Sequence, residues 1–476
     1  MPENNLPMCG HFRKCGGCQL QNLPYEKQLG LKTGRVIRLC GKFCHVNDII
    51  GMEDPYYYRN KVQAAFGYDG HGNIISGTYE ADSHKIVSVT SCQLEDQKAD
   101  EIINFIRNSM KSFRLTPYDS DRDTGIIRHV LVKRGFSTGE IMVVIVTGSK
   151  VLPSANNLSR LLVEKFPEIR TVIHNINPGK TNLVLGKSER ILYGPGYITD
   201  RLCGLNFAVS SSSFYQINPV QTEKLYRTAI KLAGLNQKST VIDAYCGVGA
   251  IGLIAARHSG KVYGVELNRS AVTAARKNAS ENRIQNITFV CDDAGKFMHA
   301  LARRGQKTDV VFMDPPRSGA SVEFINALKT MRPQKIVYIS CNPATLARDL
   351  EMLKKCYEIR VVQPVDMFPF TDHVETVCLL SKLSEAKHSI DVKLDMDELD
   401  VTSAETKATY EEIKAYVLEQ TGLQVSSLYI AQVKRECGII ERENYNKPKA
   451  EDAKQPQCPE EKKKAIEEAL KHFGMI

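Results

Sequence analysis

Between Phe207 and Lys382, short apolar runs alternate with amphipathic stretches, and this alternation constrains the fold more than any other feature of the chain. The runs are Thr240–Ala244, Lys261–Val265, Ile287–Val290, Val310–Met313, Lys335–Ser340 and Val374–Leu380, with helical patterns such as Ser270–Asn282 between them. Short Val- and Ile-rich runs without polar alternation suit strands buried on both faces, and the intervening helices supply the covers. The pattern predicts an α/β domain built on a mostly parallel sheet with right-handed crossovers. In such a sheet ligands collect beyond the carboxyl ends of the strands.

The residues that close these runs carry the chemistry. Cys341 follows Lys335–Ser340 in Ser340-Cys341-Asn342-Pro343, where an apolar run delivers a thiol to a Pro-turn just as a helical pattern begins. A thiolate at a strand end is a candidate nucleophile. Asp243-Ala244-Tyr245-Cys246-Gly247-Val248-Gly249 closes the first run, and its glycines let backbone amides approach a ligand with no Cβ in the way. Gly-x-Gly alone is weak evidence. Although Gly252 lies close by, the turn lacks the full Gly-x-Gly-x-x-Gly of dinucleotide binders, which favours S-adenosylmethionine, with no pyrophosphate to cradle, over NAD. Glu266 closes the second run, where a carboxylate can accept both ribose hydroxyls. Asp293, beside Asp292 at the next run's end, could take an adenine amino group, with Asp292 as a surface charge. Asp314-Pro315-Pro316-Arg317 closes the fourth, and two prolines hold its carboxylate in a fixed orientation. Amino-group methyltransferases carry Asn-Pro-Pro-aromatic there, so the charged Asp and Arg argue against an exocyclic nitrogen target. A nucleophilic cysteine beside a nucleoside cofactor suggests methyl transfer to carbon.

On these residues the chain resembles the RNA uracil-C5 methyltransferases of the TrmA/RumA type, from Cys9 to about Lys382. The resemblance implies a Rossmann-like S-adenosylmethionine-dependent methyltransferase domain. Uracil C5 is a poor nucleophile, so a thiolate first adds at C6 and a base later removes the C5 proton. The resemblance implies Cys341 for the first role and Glu375, in His373-Val374-Glu375, for the second. It places Asp314 between cofactor and target base. Ser213-Phe214-Tyr215-Gln216-Ile217-Asn218 resembles the family's Phe-Phe-Gln-x-Asn with Tyr at the second aromatic position, which assigns Gln216 and Tyr245 to the cofactor beside Glu266 and Asp293. Cys246, inside the cofactor turn, reads as a small packing residue. His373 has an ordinary pKa of about 6.5 and neighbours Asp372, and it is given a positioning role.

Cys9, Cys15 and Cys18 cluster among Gly10, Gly16 and Gly17, as a short loop around a metal centre requires. Four thiolates are needed, and the fourth must come from elsewhere. Cys92, after the run Val87-Ser88-Val89, matches the family's distant ligand, with Cys40 and Cys44 as rivals. Composition alone favours zinc. Resemblance to the iron–sulfur branch, which acts on 23S ribosomal RNA, implies a four-iron four-sulfur (4Fe-4S) cluster on Cys9, Cys15, Cys18 and Cys92. Fourteen cysteines in 476 residues are too dilute for a disulfide scaffold. A net charge of +9 fits a polyanionic partner such as RNA. No apolar run reaches about 18 residues and the start is polar, so a cytoplasmic protein without a membrane partner is expected; no obligate protein partner is implied.

The expected order is an iron–sulfur loop and helix over 1–55, a β-rich central domain over 56–205, the methyltransferase domain over 206–383, an acidic linker over 384–403 and a small helical extension over 404–476. In the first, Tyr25–Leu39 reads as a helix with Leu29, Val36 and Leu39 on an apolar face and Lys32, Arg35 and Arg38 on a basic one. In the second, Val62–Phe66 with Ile74–Tyr79, and Ile126–Lys133 with Ile141–Val146, read as hairpins. Family members with the cluster often begin with a small β-barrel RNA-binding domain, for which there is no room before Cys9. The central strands and the C-terminal helices are left to grip RNA. The expected activity is methylation of uracil C5 in 23S ribosomal RNA, with transfer RNA as the alternative and a non-catalytic iron–sulfur RNA-binding protein as a third.

Overall fold

The computed structural model describes residues 8–383 apart from positions 81, 82, 84, 120, 179, 180 and 182, together with 410–437, 458–473 and 475. The expected acidic linker lies outside the described residues. The chain divides into two compact units, Met1–Glu385 and Ala386–Ile476.

Helix α1 spans Tyr25–Cys40 and buries Gln28, Lys32, Val36 and Cys40 at helical spacing. Lys32 therefore leaves the basic face expected of it. Its side chain is 2% exposed, and its ammonium lies 2.6 Å from Asp366 and 3.0 Å from the Phe368 carbonyl. An ammonium this deep needs a partner.

The next elements are β1 (Lys61–Tyr68), β2 (Ile74–Tyr79), β3 (Ile86–Ser88), α2 (Gln97–Ser109), β4 (Ile127–Arg134), β5 (Ile141–Thr147), α3 (Ala155–Lys165), β6 (Ile169–Ile176) and β7 (Ser188–Tyr193). Their strands form one sheet in the order β3-β2-β1-β4-β5-β6-β7. Both expected hairpins form, with Ala65 opposite Gly77 and Leu131 opposite Val144. β5 is buried along its whole length, which explains its unbroken apolar run. Ile102 and Ile106 of α2 and Leu158 and Leu162 of α3 pack on one face of this sheet. The hairpin β8 (Tyr197–Leu202) and β9 (Leu205–Ser210) follows.

From there strands and helices alternate: α4 (Pro219–Ala233), β10 (Thr240–Ala244), α5 (Ala250–Ala256), β11 (Lys261–Glu266), α6 (Arg269–Glu281), β12 (Ile287–Cys291), α7 (Ala294–Arg303), β13 (Val310–Met313), α8 (Val322–Met331), β14 (Lys335–Ser340), α9 (Pro343–Leu353), β15 (Tyr357–Val365) and β16 (Glu375–Lys382). The sheet order is β12-β11-β10-β13-β14-β16-β15. The first five strands are parallel, and β16 runs antiparallel to both of its neighbours. β15 was not legible in the sequence because Glu358, Arg360 and Gln363 break its apolar character and Pro364 interrupts its donors, both tolerable in the outermost strand. Helices α1, α7, α8 and α9 cover one face of the sheet, and α4, α5 and α6 cover the other.

In the second unit, α10 (Tyr410–Thr421), α11 (Ser427–Glu436) and α12 (Glu460–His472) pack around Ile413, Val417, Ile430, Val433, Ile466 and Leu470. No helix among the described residues is long and apolar enough to cross a membrane.

Candidate active site

The sheet sets out the expected residues in strand order along one edge. β12, β11, β10, β13 and β14 end there, just before or at Asp293, Glu266, Tyr245, Asp314 and Cys341. β16 enters at the same edge with Glu375 because it runs the other way. The outermost pair of the β14–β16 ladder is Ser340 with Thr376, so Cys341 and Glu375 each lie one position beyond it, and the Glu375 charge acts on the Cys341 thiol.

The half of the edge at β10 and β11 is shaped by glycine. Gly247 has a positive φ of 52°, and a Cβ there would meet nothing within 4 Å, so the turn fronts open space. Gly249 is required for a different reason, since a Cβ would stand 2.7 Å from the Phe289 ring. Glu266 accepts the Gly247 N–H at 3.1 Å and the Asn268 N–H at 2.8 Å, which fixes its carboxylate beside the turn. Asp243 is buried and accepts the Gly252 N–H at 2.7 Å; burial pushes its carboxyl up to about 8. Tyr245 is left-handed at φ 63° and packs its ring 5.1 Å from that of Phe324. Asp293 is half-buried and caps α7 by accepting the Lys296 N–H at 2.9 Å, whereas Asp292 is exposed. Cys246 is buried in the core and packs as expected.

Gln216 approaches from the loop before α4, where its side chain bonds the Tyr226 hydroxyl. Asp314 and Glu375 are among the charges around Tyr226, which burial and Asp314 hold well above the ordinary range. Lys133 fastens the start of that loop, donating to the Ser210 and Ser213 carbonyls at 2.8 and 2.9 Å. Burial pulls the Lys133 ammonium down to about 7. Neither Tyr226 nor Lys133 stood out in the sequence, because one sits in an amphipathic helix and the other in a β-strand pattern. Phe214, within the same loop, is 70% exposed.

The other half of the edge gathers acids around the thiol. Burial pushes the Asp314 carboxyl up to about 7 and that of Glu375, 5% exposed, up to about 8, the latter with help from the Asp314 charge. The Cys341 thiol is pushed up to about 11 by burial, Glu375 and Asp314, in that order, and Arg317 opposes the shift. Asp349 ties the turn after Asp314 to the helix after Cys341, accepting the Ala320 N–H at 2.9 Å and the Tyr338 hydroxyl at 2.7 Å. Asn342 and Thr345 donate to the Arg317 carbonyl at 3.2 and 3.4 Å. His373 is pushed down by burial and sets its ring edge-on to Phe368 at 6.1 Å.

Cys9, Cys15, Cys18 and Cys92 line one pocket together with His11, Arg59, Glu95 and Asp100. All four are free thiols. Asp100 accepts the Cys92 N–H at 2.8 Å and so orients the distant member. Burial pushes Cys18 up to about 11 against the pull of Arg59, and pushes Cys92 up to about 12. Cys40 is buried elsewhere, against the Pro343 carbonyl at the start of α9. Among the described residues no three His, Cys, Asp or Glu side chains converge on a single metal-ion position.

Comparison with known proteins gives a consistent picture. The family described as tRNA (uracil-5-)-methyltransferase matches residues 184–383. A Staphylococcus aureus protein named only as an uncharacterized RNA methyltransferase is 42% identical over 385 residues, covering 80% of this chain and 85% of its own. A Clostridium tetani protein of the same description is 42% identical over 386 residues, covering 80% of this chain and 84% of its own. Among solved structures, the Pyrococcus abyssi tRNA (uracil-54, C5)-methyltransferase in complex with S-adenosyl-L-homocysteine superposes with a TM-score of 0.65 at 28% identity, covering 77% of this chain and 86% of the other.

Proposed function

The chain belongs to the RNA uracil-C5 methyltransferase family, and on that footing we propose that it methylates uracil C5 in 23S ribosomal RNA, with Cys341 as nucleophile and Glu375 as base. One observation carries the assignment of roles: Cys341 and Glu375 lie just beyond the last pair of the β14–β16 ladder, where the Glu375 charge acts on the thiol, with Asp314 at the end of the strand beside them.

S-adenosylmethionine, when bound, supplies the methyl group as an electrophile. Glu266 and the open Gly247 turn, with Tyr245, Asp293 and Gln216, are the residues that would hold it, and the space in front of Gly247 suits a ligand that approaches the backbone. Cys341, once its proton has passed to solvent, adds as the thiolate to uracil C6, forming the S–C6 bond while the C5–C6 π pair moves into an enolate that makes C5 nucleophilic. After C5 has taken the methyl, Glu375 removes the C5 proton and the S–C6 bond breaks, releasing the thiolate. Glu375 must be ionised for this, which its burial resists at rest. Asp314 fixes the geometry between the two halves of the edge. The base must leave its stack to reach Cys341, because the thiol and the methyl group act on the ring together. Phosphate contacts from Lys and Arg would add affinity without sequence preference.

The four cysteines of the N-terminal pocket are read as ligands of a 4Fe-4S cluster. What supports this reading is that all four line one pocket, as a centre in which each iron takes its own thiolate requires.

The ribosomal target rests on this cysteine set. A second reading, methylation of transfer RNA, is favoured by the Pyrococcus abyssi likeness. Mapping 5-methyluridine in ribosomal and transfer RNA from a strain lacking the gene, before and after treatment with the purified protein, separates the two. A mark restored only in transfer RNA overturns the ribosomal target, and methylation at nitrogen or ribose overturns the C5 assignment.

A further inference from the structure

The segment that leads into Glu375 is gripped from three sides. Along α1, residues at helical spacing each hold one point of it: the Tyr25 hydroxyl donates to Asp366 at 2.8 Å, the Gln28 side-chain oxygen accepts the Phe370 N–H at 2.9 Å, Lys32 pairs with Asp366, and Arg35 donates to the Asp372 carbonyl at 3.2 Å. From α4, Asn218 donates to the Met367 carbonyl at 3.0 Å and Gln221 to the Asp366 carbonyl at 2.9 Å. From the cysteine-bearing segment, the Gln19 and Leu20 N–H groups both donate to the Phe370 carbonyl, at 3.1 and 2.9 Å.

Phe370 is where these grips converge. It is left-handed at φ 66°, a conformation in which the Cβ of a bulky residue is crowded and which persists only when the surroundings over-determine it. Both backbone polar groups are taken. Its ring is buried with Tyr58 and Leu94, 5.0 Å from that of Tyr56, and Cys18 and Cys92 pack against the same cluster. Beyond it, Thr371 closes a turn onto the Phe368 carbonyl and receives the His373 N–H, and the chain then enters β16 at Glu375. No atom of Phe370 is needed by the chemistry, yet this left-handed position lies in the segment that leads directly into Glu375.

We propose that Phe370 is a positioning residue of the reaction: clamped left-handed between the cysteine-bearing segment and α1, it fixes the turn that presents Glu375 to Cys341. The inference rests on the reading of Glu375 as the base. If Phe370 sets where that carboxylate lies, loosening it should slow the step Glu375 performs and spare the step Cys341 performs.

The test compares full-length wild type, Glu375→Gln, Phe370→Ala and Gln28→Ala in single turnovers on total RNA from a strain lacking the gene, with methyl-labelled S-adenosylmethionine. Formation and decay of the denaturant-stable, labelled enzyme–RNA adduct are followed across pH. Gln28→Ala removes the acceptor for the Phe370 N–H, together with the Gln28 amide donor to the Leu23 carbonyl, and keeps a good helix former, so it serves where Phe370→Ala fails to fold. Expected are an adduct that persists in Glu375→Gln, and one that forms at the wild-type rate but decays at least about tenfold more slowly, with a displaced pH midpoint, in Phe370→Ala and Gln28→Ala. Persistence in Glu375→Gln with formation and decay lowered equally, or both unchanged, in the other two overturns the positioning role alone. No adduct in Glu375→Gln overturns the base reading and the positioning role with it.

Discussion

The Asp314 charge adds to burial in holding the Glu375 carboxyl above the ordinary range, so the two acids at this edge resist ionising together. Asp314 itself is raised by burial to about 7 and Glu375 to about 8. Release of the C5 proton is therefore expected to speed up with pH through roughly the neutral region, because only ionised Glu375 can accept it. A decay rate of the adduct that is flat from about pH 6 to about pH 9 would remove Glu375 from that role.

The same shift has a consequence for stability. A carboxyl raised from 4.5 to about 8 makes the folded chain bind more protons than the unfolded one between those values. The stabilisation from protonated Glu375 is complete below 4.5 and is lost as pH rises through about 8. Glu375→Gln should therefore gain stability over wild type as pH rises across that window, on the order of 2 kcal/mol or more by its upper end, with no further change beyond it. Denaturant midpoints at several pH values measure this.

Cys341→Ala should abolish methylation while leaving S-adenosylmethionine affinity within about twofold, since the thiol belongs to the β14 end and the Gly247 turn to the β10 end. RNA carrying 5-fluorouridine should trap wild type covalently, because fluorine cannot leave as a cation. Survival of more than about a hundredth of the activity in Cys341→Ala, or failure to trap, would end the covalent mechanism.

Anaerobically purified protein is expected to be brown and to hold about four irons per chain. Cys92→Ser should lose iron and solubility together, because Cys92 lies in the loop between β3 and α2 and its bond to the cluster would join the N-terminal loop to the central sheet's surroundings. A colourless, zinc-containing and fully active preparation would overturn the cluster. Loss of iron in Cys40→Ser would be unexpected for a side chain packed against α9.

Lys32→Met should cost about 3 kcal/mol, because it leaves the Asp366 carboxylate buried with only the Tyr25 hydroxyl among its side-chain partners. Lys32→Met with Asp366→Asn should recover much of that loss. Thermal or denaturant unfolding of the two variants decides whether the pair is coupled.

The strand-ending residues were legible because each closes an apolar run, and in a parallel sheet all such ends meet at one edge. Glu375 was legible only through its resemblance to a known motif. Nothing in its own run says that β16 reverses direction, and it is the reversal that brings a strand's first residue to the edge where the others finish. Lys32 was misplaced for a similar reason. Helical periodicity tells which residues share a face and not what that face meets, so a lysine aligned with Arg35 and Arg38 looked solvated when it was destined for Asp366. Phe370 left no trace, since a left-handed phenylalanine is imposed by partners far away in the chain.

That distance bears on how the chain is made. Lys32 and Asp366 stand 334 positions apart, and at about 5–20 residues per second the ribosome needs on the order of 20–70 seconds to deliver the second after the first. Throughout that interval α1 has no acid for its ammonium, and the cysteine loop beside it has no Phe370 to bind. The cysteine-bearing segment and α1 are thus made long before the residues that lock them. Whatever the four cysteines bind, the contacts that brace their loop against Phe370 form only once Phe370 has been made.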